Sequence, residues 1–197
     1  GQDFTVVLYW WFILFLVGAV NIPFAWLLFR RFTDFGYGFA KTIGIVSLTY
    51  IIFVGATIHL IPITRFALFL IFLLSVVLNY LIFTKNKTKI LQSLSSKKKL
   101  LIFQEIFFFA GLLFLSYVRA HQPDIEGLEK FMDYGFINSI LRTKYLPPPD
   151  MWFAGGEINY YWFGHLWAAV ITKLSGISSS LTYNLLLATI MGLTLMG

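Results

Sequence analysis

The sequence predicts an all-α integral membrane protein, a polytopic bundle of transmembrane helices with an external amphipathic juxtamembrane helix. Two observations carry that reading. Of the 197 residues, 58% are hydrophobic and only 12% are charged, where soluble domains hold about 45–50% and about 25%. The charges also gather in short clusters between long uncharged runs, the pattern of a chain that crosses a bilayer repeatedly. Together they exclude a water-soluble monomer, a disordered chain and a nucleic-acid-binding domain, although the net charge is +6. The lack of cysteine excludes a disulfide scaffold, a thiolate metal site and a cysteine nucleophile.

A helix needs roughly 20 apolar residues to cross the hydrocarbon core. Uncharged runs of that order cover residues 4–29, 42–64, 66–84 and, with one interruption, 100–118. A shorter run covers 158–172, and a last one opens near residue 181 and is still apolar at Gly197. With Gly at position 1 and no flank after the last run, the chain reads as a piece of a longer protein. The expected organisation is an N-terminal four-span region over 1–118, an external loop with its amphipathic helix over 119–157, and the start of the following transmembrane helices over 158–197. The first run is too long for a signal peptide and has no basic residue before it.

Lys and Arg set the sidedness. Strict alternation places Arg30, Arg31, Lys41, the six lysines between 85 and 99, and Lys173 on one side, ten of the fifteen basic residues. That side is cytoplasmic, so the N-terminus and residues 119–157 are external and the lysine-rich 85–99 loop is internal. Arg65, Arg119, Lys130, Arg142 and Lys144 fall outside.

Acids are scarcer, and six of the nine (Asp124, Glu126, Glu129, Asp133, Asp150, Glu157) lie in the external segment. Residues 124–141 read as an amphipathic helix, with Pro123 and Asp124 at its start and Ile125, Leu128, Met132, Phe136 and Ile140 at helical spacing. At about 100° per residue, Glu126, Glu129 and Asp133 fall within an arc of roughly 60°. Three carboxylates on one face repel one another unless a metal, a proton or a cation intervenes. The ordinary alternative is a solvated face with a Glu126–Lys130 pair. Downstream, Pro147, Pro148 and Pro149 end the helix, Gly155 and Gly156 mark a turn, and Tyr160, Tyr161 and Trp162 lead the short fifth run into the membrane. Such aromatics form an interface belt or bind a sugar or headgroup together with Asn159.

His165 lies one turn inside that run, either as a functional group or as a buried hydrogen-bonding one. Glu105 is the only acid inside a span and is expected to snorkel or pair with Lys97–Lys99. His59 with Pro62, and Asn21 with Pro23, read as helix-end and kink features.

The run Glu129-Lys-Phe-Met-Asp133, then Leu-Arg142, Pro-Pro-Asp150, Trp152, Ala-Gly155 and Ile-Asn-Tyr-Tyr161, resembles the signature of the YYY membrane proteins. These are large multi-pass proteins of archaea and some bacteria, named for a tyrosine triplet. Residues 34–44 resemble their first cytoplasmic loop. Trp162 stands at the third tyrosine position, and Phe131 and Met151 stand where proline is common; the acidic positions match.

That resemblance implies a relationship to the GT-C glycosyltransferases, polytopic enzymes that move a sugar from a polyprenyl-phosphate donor to an acceptor on the outer face. In them an Asp or Glu on a membrane-lying helix of the first long external loop serves catalysis. The loop comes later in this chain than in GT-C enzymes, which place it after the first span. Carried onto this sequence, the candidate bases are Glu126 and Glu129, then Asp124, then Asp133. Arg119, Lys130 and Arg142 are candidates for the leaving phosphate. Asp150, Trp152, Asn159, Tyr160, Tyr161 and His165 are candidates for donor and acceptor. The implied partners are membrane lipid and the lipid-linked sugar, with a divalent metal ion as a candidate cofactor, at the plasma membrane. A multi-pass transporter using Glu105, His59 or His165, and a non-catalytic structural subunit, are the alternatives.

Overall fold

A computed structural model describes residues 2–197 as seven α-helices. They are α1 (Gln2–Phe29), α2 (Tyr37–Thr57), α3 (Arg65–Ser96), α4 (Lys98–His121), α5 (Leu128–Arg142), α6 (Phe163–Ser175) and α7 (Ser179–Met196). Among the described residues there is no strand, only an isolated bridge between Pro149 and Glu157. Helices α1, α2, α3, α4 and α7 are long and apolar enough to cross a membrane.

The expected boundaries moved where local chemistry outweighed the charge pattern. Helix α3 runs twelve residues past Thr84, through the lysines, because Lys, Gln and Leu favour helix and neither Gly nor Pro interrupts them. Helix α2 starts at Tyr37 and so takes in Lys41, which the sequence placed in a loop. It stops at Thr57, seven residues short of expectation. There His59 turns left-handed (φ 59°), and the N–H groups of Leu60 and Ile61 both return to the Gly55 carbonyl. The expected fifth span over 158–172 is a correction. Helix α6 has 13 residues, about 20 Å, where the hydrocarbon core is about 30 Å. Its Leu166 and Ala168–Thr172 are buried against protein.

The chain forms two compact units. The first comprises residues through 45, 73–121 and 185–197; the second comprises 46–72 and 122–184. The first unit packs Trp10, Leu14, Val17, Phe108 and Leu112 in its core. Helices α4 and α7 meet there at Gly111 and Gly192: a Cβ on Gly192 would lie 2.8 Å from the Phe108 carbonyl oxygen. Close approach through small residues is how helices gain contact in lipid, where the hydrophobic effect between them is absent.

Asn21, expected with Pro23 to be a kink feature, belongs to a polar network inside this unit. Pro23 lies within α1. The Phe24 N–H donates to the Asn79 side-chain carbonyl at 3.0 Å, and Asn79 in turn donates to Asn21. Asp34, between α1 and α2, accepts the N–H groups of Gly36 (3.0 Å) and Gly38 (2.7 Å) and the Gln104 amide (3.0 Å). A carboxylate there closes the first turn of α2 and sits at the positive end of its dipole. Burial pushes the Asp34 pKa upward, but those three donors outweigh it and hold the carboxyl below its ordinary value.

Glu105 is a second correction. It pairs with Lys41, not with the lysine cluster: Lys41 Nζ lies 2.5 Å from Oε2, and the Tyr37 hydroxyl and Trp11 indole also donate to the carboxylate. The Lys41 ammonium sits over the Phe108 ring at 4.6 Å.

Candidate functional site

The second unit holds most of the predicted site residues, and their positions start from how α5 begins. The sequence expected a helix from Asp124. The structure starts it at Leu128, because Gly127 occupies the N-cap with φ 106°, a conformation that excludes it from the helix. Asp124 and Glu126 therefore precede α5 and are exposed. The expected three-carboxylate face is reduced to Glu129 and Asp133, one turn apart. Among the described residues no three acidic or histidine side chains converge to hold a metal ion.

Asp133 has a partner that the sequence left unassigned. His165, the third residue of α6, places Nε2 3.0 Å from Asp133 Oδ1. Its Nδ1 is buried without a hydrogen-bond partner. A bare ring lone pair costs less there than an orphaned N–H, so the proton belongs on Nε2, donated to the carboxylate. The Asp133 side chain remains 38% exposed and His165 only 14%, so the acid faces outward and the histidine supports it from behind. Phe136, one turn beyond Asp133, meets the imidazole edge-on at 5.2 Å.

The loop from α5 to α6 is tied down so that its aromatics gather here. Ser139 donates to the Pro149 carbonyl, Ile158 N–H to Pro148, and Asp150 N–H to Gly156. The Asp150 carboxylate accepts the N–H groups of Trp152 (2.8 Å) and Phe153 (3.1 Å), and Gly155 takes φ 84° at the tip. Asp150 is thus a turn former. Trp152 and Tyr160 pack on Phe136 at 6.4 and 6.0 Å. Tyr160 donates to the Tyr161 hydroxyl at 2.8 Å. That bond first, with smaller contributions from lost solvation and then from the fields of Tyr161, Glu129 and Asp133, holds the Tyr160 phenol above its ordinary value. Trp152 and Tyr161 stand out from the surface, 67% and 75% exposed, and Asn159 is exposed beside them.

The cations are more dispersed. Lys130 is one turn before Asp133 on α5, whereas exposed Arg142 lies nine residues further, about 14 Å along the axis. Arg119 closes α4 in the first unit. The sequence ranks Asp133 last of the four candidate bases and leaves the hydrogen-bond partner of His165 unnamed. The only signal that could have joined them was a pair of polar residues on facing apolar helices, 32 positions apart.

Five helices long and apolar enough to cross a bilayer mark a multi-pass membrane protein. The chain belongs to the uncharacterized membrane protein family DUF2298, whose sequence pattern matches residues 47–197. No curated protein and no solved structure matches it.

Proposed function

We propose that this chain is part of a GT-C-type membrane glycosyltransferase that moves a sugar from a polyprenyl-phosphate donor to an acceptor hydroxyl on the outer face of the plasma membrane. The observation that supports this reading best is the Asp133–His165 pair, linked through the Phe136 ring to Trp152 and Tyr160. An accessible carboxylate suits a general base, and exposed aromatic faces suit a sugar ring at the interface. In the reaction the acceptor oxygen attacks the anomeric carbon, its proton passes to Asp133, and the carbon–phosphate-oxygen bond breaks with the lipid phosphate leaving. Lys130, one turn before Asp133 on α5, is the candidate cation for the charge on that phosphate. Glu129 is the second candidate base.

The proposed orientation keeps the N-terminus and residues 119–157 external and the 85–99 lysines cytoplasmic. Because α6 is too short to cross upright, Lys173 joins the external set, and the basic residues divide nine to six. The test is transfer from a polyprenyl-phosphate sugar by the full-length protein in membranes. Asp133→Asn is expected to lower the rate by about 10²–10⁴-fold, the range for a general base. Unchanged transfer in well-folded Asp133→Asn and Glu129→Gln variants overturns the catalytic assignment.

A further inference from the structure

The first unit contains a groove of about 600 Å³ that the reading above does not use. Its walls are apolar, formed by Phe15 of α1, Leu94 at the end of α3, and Leu101 and Ile106 of α4. Ser95 and Lys98 stand at one end, and both are exposed. The α4 wall from Lys98 to Ile106 runs about 12 Å. At the inner end lies Glu105, whose carboxylate already accepts from Lys41, Tyr37 and Trp11. Its charge is therefore met from within the fold and does not repel an anion at the mouth. The end of α3 that forms one wall is held in place, since the Trp26 indole donates to Ser93 and Ile90 is buried.

We propose that this groove binds an acidic phospholipid, with an acyl chain along the apolar wall and the phosphate at Lys98 and Ser95. A tail gains little by leaving one apolar medium for another, so the wall alone does not select a lipid. Selection rests on the headgroup. Lys98 is flanked in sequence by Lys97 and Lys99, and no acidic residue lies between positions 85 and 104. This charge complementarity favours an anionic lipid over a zwitterionic one. The ammonium and hydroxyl supply hydrogen bonds to the phosphate oxygens.

The proposal is tested by native mass spectrometry of the delipidated full chain with phosphatidylglycerol or phosphatidylcholine of identical tails. Phosphatidylglycerol is expected to be retained about fivefold better, the factor that one basic residue near an anionic surface contributes. Lys98→Gln should reduce it to the phosphatidylcholine level, and Lys98→Arg should restore it. Ile102→Trp, which fills the groove, should lower retention of both lipids while helical circular dichroism stays unchanged. Equal retention of the two lipids, or insensitivity to Lys98→Gln, overturns the proposal. Displacement of phosphatidylglycerol by equimolar polyprenyl phosphate overturns the assignment to a phospholipid.

Discussion

His165 Nε2 donates to Asp133 Oδ1 across 3.0 Å, joining the first turn of α6 to the second turn of α5. The histidine is largely enclosed and the acid is not, so the imidazole acts as a support that fixes the direction of the carboxylate. Under the proposed function His165 is a positioning residue. His165→Ala is expected to lower kcat by about 100-fold, the cost of a reacting group misplaced by about 1 Å, with little change in KM. His165→Gln, which keeps a donor, should recover most of it. Equal losses in both variants, measured in transfer assays, count against a positioning role.

Lys41 and Glu105 form a pair whose side chains are 3% and 15% exposed. Removing one member leaves a buried charge uncompensated, which costs about 3–5 kcal/mol. Glu105→Gln and Lys41→Met should each lower the thermal midpoint in detergent, and the double variant Lys41→Met/Glu105→Leu should regain much of the loss. An additive double variant contradicts the pairing.

At the α4–α7 contact the two glycines differ in what stands against them. A Cβ on Gly192 meets backbone, the Phe108 carbonyl oxygen at 2.8 Å, whereas one on Gly111 first meets the end of the Leu195 side chain at 2.7 Å. Overpacking costs about 1–3 kcal/mol. Gly192→Ala is expected near the upper end and Gly111→Ala near the lower, read as unfolding midpoints under identical conditions.

Asp34 gives a pH dependence with a definite sign. Its folded pKa lies below the ordinary 3.8, so its contribution to stability is complete above that value and is lost as pH falls through the lowered one. The melting difference between the wild type and Asp34→Asn should be constant between pH 5 and pH 7. It should shrink below about pH 4, where the unfolded carboxyl takes up its proton. A difference that grows on acidification contradicts the sign.

Much of the fold was legible in the residues. Four of the five long helices match uncharged runs of the required length, and α7 opens within two residues of its expected start. The errors fall where the rule used was charge rather than backbone chemistry. Uncharged runs ended α3 at Thr84, yet lysine is a good helix former and the helix continues to Ser96. Pro123 suggested a helix start, but only the backbone shows that Gly127 takes a positive φ and delays it.

The candidate site was legible in part for a related reason. Composition concentrated the acids in one segment, because a carboxylate is costly in lipid and must lie in a loop or find a partner. By itself the sequence thus determined the class of protein, the approximate spans and the segment that holds six of the nine acids. It could not choose among the acids, since a helical wheel records which residues share a face but not what stands opposite. Only the tertiary structure brought His165 to Asp133 and Lys41 to Glu105. Both partnerships depend on side chains 32 and 64 residues apart, a separation that no local periodicity encodes.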